Sequence, residues 1–400
     1  MIIRARTVVP MEGAPIENGA VALGGDRITV VGDFEEIRSS HTGDVTDLGE
    51  SILLPGLINA HCHLDYTALR GRITPKESFA DWIRAINAER ARLTEQNYID
   101  SIRAGFSEAV GFGTTTIANL TAFPRLIGAI PEPIRTWWFG ELIDVRDPDH
   151  ADGIVEEAVQ ALKGAKHWGL APHAPYTASE RLYARCEDFA VRVHVPLTTH
   201  LAESREEMQM FRDGYGPAFD FLKEIGRPTE DCGKETPLSL FLRKRSVPSR
   251  WIVAHLNELD AADFDLLANA PKFPIVHCPR SHTFLRHQPF ALDRLRALGF
   301  NICLGTDSLA SNSDLSLFSE MRELIRKHPQ MTAREVLEMA TINGARALDQ
   351  DGLLGVIRSG AAADLIALPD TPAGDAFEKI VAFEGNIPWM MVNGRIVQPA

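Results

Sequence analysis

The residues best equipped for chemistry are two histidines in Asn59-Ala60-His61-Cys62-His63-Leu64-Asp65, closing an apolar run that starts at Ile52. On a β-strand, residues two apart share a face, so both imidazoles can aim at one point and hold one cation. Three later segments also place a His or Asp after a short hydrophobic run: Thr199-His200-Leu201-Ala202-Glu203, Val253-Ala254-His255 and Leu304-Gly305-Thr306-Asp307-Ser308. His61, His63, His200 and Asp307 offer nitrogen and oxygen ligands with a position left open. That set suits one divalent ion, Zn²⁺ ahead of Fe²⁺ or Mn²⁺. Such an ion lowers the pKa of a bound water and supplies hydroxide at pH 7. Asp307 is placed to touch the metal and accept the water's proton, and Glu203, three residues past His200, to pass a proton to a substrate nitrogen. His255 is either a further ligand or the group that orients the hydroxide, with orientation the favoured role. His173, stiffened by Pro172 and Pro175, suits substrate recognition. His277 stands open between packing and substrate contact. His41, His150, His167, His194, His287 and His328 read as surface or packing residues, as do Cys62 and Cys278, which strand alternation turns away from their neighbouring histidines.

Something must bring these distant residues together. Strand-like runs ending near His63, Asn119, Glu141, His173, His200, His255, His277 and Asp307 alternate with amphipathic stretches. These include Ser78 to Leu93, Tyr98 to Gly111, Ile154 to Lys163, Ser179 to Ala190 and Phe290 to Leu298. The pattern predicts an α/β fold, a (β/α)₈ TIM barrel whose active site gathers at the C-terminal strand ends. An open doubly wound sheet would want a Gly-rich phosphate loop where His-Cys-His stands. Short strand-like runs at both ends, among them Ile2 to Val9, Ala363 to Leu368, Ile380 to Phe383 and Met390 to Val397, are too few to bury a core separately. They are expected to combine as a small β-sandwich from 1–54 and 356–400, with the catalytic barrel over 55–355.

A formal charge of −13 over 400 residues excludes a polyanionic partner, which needs a basic face. A small-molecule substrate is expected, with no nucleic acid and no membrane. Five cysteines without a CxxC pair point to a reducing compartment, and the N-terminus lacks a signal-peptide pattern, so the expected location is the cytoplasm. A homo-oligomer is expected.

At this point the chain resembles the amidohydrolase superfamily. Within it, the resemblance is to the chlorohydrolase-like aminohydrolases that deaminate S-adenosylhomocysteine, methylthioadenosine, aminofutalosine, guanine or cytosine. The likeness runs through Leu54-Pro55-Gly56-Leu57-Ile58-Asn59-Ala60-His61-Cys62-His63, His173-Ala174-Pro175-Tyr176, His200-Leu201-Ala202-Glu203, His277-Cys278-Pro279, Gly305-Thr306-Asp307 and Ala340 to Leu348. It implies one metal on His61, His63, His200 and Asp307, with Glu203 as proton shuttle and His255 beside the hydroxide. Two-metal members bridge their ions with a carboxylated Lys on a middle strand, and the matching stretches Thr136 to Asp144 and Gly169 to Tyr176 hold no Lys.

For substrate, the resemblance implies contacts from Trp82 and Glu89, where relatives meet a ribose. Arg280 lies in the altered Arg280-Ser281-His282 loop and Arg146 lies after Asp144; either is a candidate for a substrate carboxylate, and Ser311 is counted with this set. Asp213-Gly214-Tyr215-Gly216-Pro217 looks most like aminofutalosine deaminases. The expected activity is deamination of an aminopurine nucleoside such as 6-amino-6-deoxyfutalosine, methylthioadenosine or an S-adenosylhomocysteine-like compound. The rivals are a guanine or cytosine deaminase, a triazine-type hydrolase with a chloride or amine leaving group, and a catalytically silent metal-binding scaffold.

Overall fold

The computed structural model describes residues 1–246, 250–371 and 373–397. The chain opens with β1 (Ile2–Val8), β2 (Ile16–Gly24), β3 (Arg27–Asp33), β4 (Val45–Asp47) and β5 (Ser51–Pro55). Only Gly56 separates β5 from the next strand, and a Cβ there would lie 2.0 Å from Thr115 Cγ2, so the chain turns tightly into the barrel at a position only glycine fits.

The barrel strands are β6 (Leu57–His63), β7 (Thr114–Thr121), β8 (Arg135–Leu142), β9 (His167–Pro172), β10 (Leu197–Leu201), β11 (Trp251–His255), β12 (Ile275–His277), β13 (Ile302–Leu304) and β14 (Asp307–Ser308). They pair in parallel in the order β13-β12-β11-β10-β9-β8-β7-β6-β14. β13 and β14 are two halves of one eighth strand, interrupted at Gly305-Thr306, and they close the barrel. Gly305 N donates to His277 O and Thr306 N to His61 O, each at 3.0 Å. Closure needs glycine at 305, because a Cβ there would stand 2.6 Å from His61 O. Asn59 ties the same seam, its Nδ2 donating to Thr306 Oγ1 at 2.8 Å. Every residue of β6 and β7 is buried, as barrel strands covered on both faces must be.

Helices follow the strands where apolar spacing predicts them: Phe79–Arg90, Glu95–Gly111, Ala151–Leu162, Glu180–Val193 and Leu292–Ala297. The chain ends with β15 (Leu365–Pro369), β16 (Trp389–Val392) and β17 (Arg395–Val397). These join the N-terminal strands in one eight-stranded sheet, where β15 pairs antiparallel with β5.

Two terminal runs differ from expectation. Ile380 to Phe383 lies not on a strand but at the end of helix Ala376–Ala382. Asp375 caps that helix by accepting from Phe377 N and Glu378 N, and Phe377, Ile380 and Val381 bury one helical face. Met390 to Val397 is two strands, joined where Asn393 and Gly394 both take positive φ, 50° and 71°, the geometry of a tight hairpin. No helix among the described residues is long and apolar enough to cross a membrane.

Candidate active site

The C-terminal strand ends gather a cluster of imidazoles and carboxylates. β6 carries His61 and His63 inward while Cys62 between them turns its Sγ toward Asn119 Oδ1, 3.5 Å away. β10, β11 and β14 contribute His200, His255 and Asp307. The ligating atoms of His61, His63 and Asp307 lie within 4.8 Å of one another, and so do those of His61, His200 and His255. Asp307 Oδ1 is 3.8 Å from the Nε2 of both His61 and His63, and the Nε2 atoms of His63 and His200 are 3.2 Å apart. His255 and Asp307 adopt left-handed φ of 73° and 56°, a strain that packed surroundings hold in place where side chains must be re-aimed.

Hydrogen bonds set each group. A carbonyl only accepts, so His200 Nδ1 donates to His173 O at 2.9 Å, which leaves the Nε2 lone pair facing the cluster. Asp307 Oδ2 accepts from Ser281 Oγ at 2.6 Å and Ser311 Oγ at 3.1 Å, which leaves Oδ1 for the histidines. Burial and the neighbouring histidines hold His63 well below the usual range, and burial foremost brings His200 down to about 3. Both are neutral at pH 7. Burial alone would raise the Asp307 carboxyl, but His61, His255 and His63 outweigh it and hold it well below the usual range. Both nitrogens of His61 and Nε2 of His255 are buried with no hydrogen-bond partner among the described residues. Imidazole nitrogens left without partners, converging beside an ionised carboxylate, fit a divalent cation.

Glu203 stands beside this cluster, its Oε1 3.8 Å from His255 Nε2. Burial foremost, then the charges of Asp307 and Glu207, push its carboxyl well above the usual range, the direction that favours a proton donor. Glu207 fixes the segment by accepting the backbone N–H groups of Ala202 and Glu203 at 3.1 and 2.7 Å.

Above the cluster opens a cavity of about 450 Å³. Of the residues expected to meet substrate, His173, Trp82 and Arg146 line it. Arg146 is exposed and makes no ion pair among the described residues. The other three do not line it. Glu89 turns outward to Arg72 and Arg92. Arg280 directs its fork to Asp314 and Ser313. Ser311 is fully buried behind Asp307. His277 also lies outside the cavity, stacked on Phe290 with ring centres 4.0 Å apart, whereas His150 stands on the cavity rim.

Sequence reasoning missed two polar wall residues. Arg90 lies 5.4 Å over the Tyr66 ring without an ion pair among the described residues. Glu141 on β8 has its Oε1 3.6 Å from His63 Nδ1 and 3.9 Å from His173 Nε2. A signal for Arg90 existed, since Ile83, Asn87 and Arg90 follow i, i+4, i+7 on one helical stripe, which Glu89 leaves. The opposite wall comes from helix Pro217–Glu224 through Phe221 and Leu222, directly after the Asp213 to Pro217 segment.

A metal-fitting histidine and carboxylate cluster at the mouth of a closed parallel barrel defines a class of hydrolase. The chain belongs to the amidohydrolase family, whose pattern matches residues 52–397. It is 31% identical over 378 residues to a 5-methylthioadenosine/S-adenosylhomocysteine deaminase of Syntrophobacter fumaroxidans, covering 89% of this chain and 81% of that protein. A deaminase of the same description from Moorella thermoacetica is 28% identical, over 99% of this chain and 94% of its own. Among solved structures, a zinc-bound adenosine deaminase from Xanthomonas campestris superposes with TM-score 0.85 at 25% identity, covering 100% of this chain and 93% of that one. Helicobacter pylori aminofutalosine deaminase in complex with methylthio-coformycin gives TM-score 0.90 at 20% identity over 99% of each chain, a likeness of fold.

Proposed function

We propose that the protein is a metal-dependent aminohydrolase that exchanges the exocyclic amino group of an adenine-type nucleoside for oxygen and releases ammonia. The observation that carries this is the pair of overlapping groups, His61, His63 and Asp307 and His61, His200 and His255, each with its ligating atoms within 4.8 Å, beside Glu203 at the floor of a nucleoside-sized cavity. We assign one metal per chain, zinc, to those four residues. When bound it would supply a water acidic enough to attack at neutral pH. The chain's own groups do the rest. Asp307, held ionised, accepts a proton from the attacking water and passes it to the amino group, which leaves as ammonia as its bond to the ring carbon breaks. Glu203, its carboxyl pushed up by burial, delivers a proton to the ring nitrogen next to the reacting carbon. His255, 3.8 Å from Glu203, orients the water.

His173 and Trp82 position the base, and Arg146 at the mouth pairs with a carboxylate on the ribose substituent, as a 6-amino-6-deoxyfutalosine or S-adenosylhomocysteine-like substrate would carry. With Arg280 engaged by Asp314, Arg146 is the arginine this reading uses. The barrel over 55–355 is then the catalytic unit and the terminal segments 1–54 and 356–400 its support. Five free cysteines, four of them buried, support a reducing cytoplasmic setting, and a homo-oligomer completes the proposal.

The test is ammonia release by purified, metal-loaded protein against purines, pyrimidines, triazines and nucleosides. The highest kcat/KM is expected on a carboxylated adenine nucleoside. Preference for free guanine, cytosine or a triazine over every nucleoside would overturn the substrate.

A further inference from the structure

A second cavity lies behind the first, and the two share a wall. Along Pro175 to Ala178, Tyr176 and Thr177 face the catalytic cavity, while Pro175 and Ala178 face the other. The second cavity measures about 320 Å³, within reach of a small organic ligand. Its apolar surface comes from Tyr183, Leu240 and Phe241.

The lining itself holds four acids and four bases, and Arg227, paired with Asp231 from outside the lining, adds a fifth cation. Glu180, Asp231 and Glu235 are matched by Arg245, Arg227 and Arg243. Lys234 and Lys244 line the cavity, exposed and without an ion pair among the described residues, and Glu230 is the one acid left over. The decisive group is Arg245. Its side chain is 2% exposed, its guanidinium lies 4.9 Å over the Tyr183 ring and Nη2 meets Glu180, yet Nη1 is buried with no hydrogen-bond partner among the described residues. A buried donor left unmade is costly, and an acceptor brought by a ligand would relieve it.

We infer that this cavity is a second ligand site, specific for a small organic carboxylate. The carboxylate takes Arg245 Nη1, flanked by the ammonium groups of Lys234 and Lys244, and the apolar body packs on Tyr183, Leu240 and Phe241. An inorganic anion would leave that apolar surface uncovered. The site also touches the catalytic floor. Tyr183 Oη is 2.6 Å from Thr199 Oγ1, which donates to His173 O at 3.2 Å, and that same carbonyl accepts His200 Nδ1.

The test is calorimetric titration of the metal-loaded full chain with benzoate and, as the neutral counterpart, benzyl alcohol. Benzoate should bind with a Kd of about 1 mM, fitting for its size, and benzyl alcohol at least about tenfold more weakly. Leu240→Trp, which fills the cavity, should abolish binding, and the exposed Lys244→Ala should weaken it severalfold without touching the fold. Arg146→Ala, in the other cavity, should leave it unchanged. A benzoate isotherm insensitive to both Leu240→Trp and Lys244→Ala would overturn the site, as would equal binding of benzyl alcohol or no binding below about 20 mM.

Discussion

The floor and the wall of the catalytic cavity are built on opposite plans. The floor sits on strands locked in hydrogen-bonded register, and three of its groups have fixed partners: Asp307 on Ser281 and Ser311, His200 on the His173 carbonyl, the Glu203 segment on Glu207. The wall is carried by helices Phe79–Arg90 and Pro217–Glu224, which meet through Arg84 over Phe221 at 4.5 Å. The second helix follows a π-helical turn, Gln209–Asp213, and two positive-φ glycines, Gly214 and Gly216. Irregular turns and glycines of this kind let a helix shift without disturbing a sheet. On the proposed function, reaction type belongs to the floor and substrate choice to the wall, and each half of that division can be broken separately.

The largest effects should come from the floor. His61→Ala removes a ligand whose two nitrogens have no hydrogen-bond partner among the described residues, and elemental analysis should find the metal lost, with kcat/KM down by at least about a thousandfold. Two tightly held metals per wild-type chain would contradict the single-ion assignment. Glu203→Gln should separate the two properties, keeping the metal while kcat falls about a hundredfold or more, because the amide cannot hand over a proton. Near-normal turnover in the loaded variant would remove Glu203 from the reaction.

The wall should respond in KM. Arg146→Ala is expected to raise KM for a carboxylated nucleoside about tenfold, a modest factor because the side chain is exposed, while adenosine stays unchanged. Arg280→Ala should change neither, since its fork is spent on Asp314. A KM effect from Arg280 and none from Arg146 would reverse the assignment and require the Asp314 pair to open on binding.

The same division explains what could be read in advance. Strand-borne groups were legible because alternation fixes direction: His61 and His63 face one way and Cys62 the other, whatever packs around them. Barrel closure then brings His200, His255 and Asp307 to the same mouth. Helix-borne and loop-borne groups carry no such rule. Glu89 and Arg90 are adjacent, and only the packing of Trp82 and Ile86 decides which one enters the cavity. Arg280 could not be told from Arg146 because Asp314, which pairs with it, comes from a loop whose path the sequence does not dictate. At the C-terminus, Ile380 to Phe383 read as a strand because a four-residue apolar run has no decisive period, and the Asp375 cap that settles it lies five residues earlier.

Behind the floor lies a pH dependence of stability. Burial, helped by the charge of Lys327, brings His282 down to about 4, and burial, helped by His282, brings His287 to about 3. The unfolded chain takes up protons below about 6.5, where the native state refuses them. Stability is therefore full above about 6.5 and falls as pH drops toward 4, by up to about 1.4 kcal/mol per pH unit for each such histidine. His282→Gln should flatten the fall in urea midpoint between those limits. A slope equal to wild type at the same metal content would mean that His282 is protonated in the native state.

The smallest effect is expected at Glu89, and it tests the wall most sharply. From the sequence the residue is expected to meet a ribose, yet its carboxylate meets Arg72 at 3.6 Å and Arg92 on the outer face. Partly exposed ion pairs contribute little, so Glu89→Gln should change kcat/KM by less than about twofold and leave stability nearly untouched. Arg90→Gln, one residue on, removes the guanidinium that lies over Tyr66 inside the cavity and should raise KM clearly more. Because neighbouring helical residues point about 100° apart, both side chains cannot face the substrate at once. A tenfold loss at Glu89 with none at Arg90 would therefore mean that helix Phe79–Arg90 rotates about its axis when substrate enters, and that the wall closes by turning rather than by sliding.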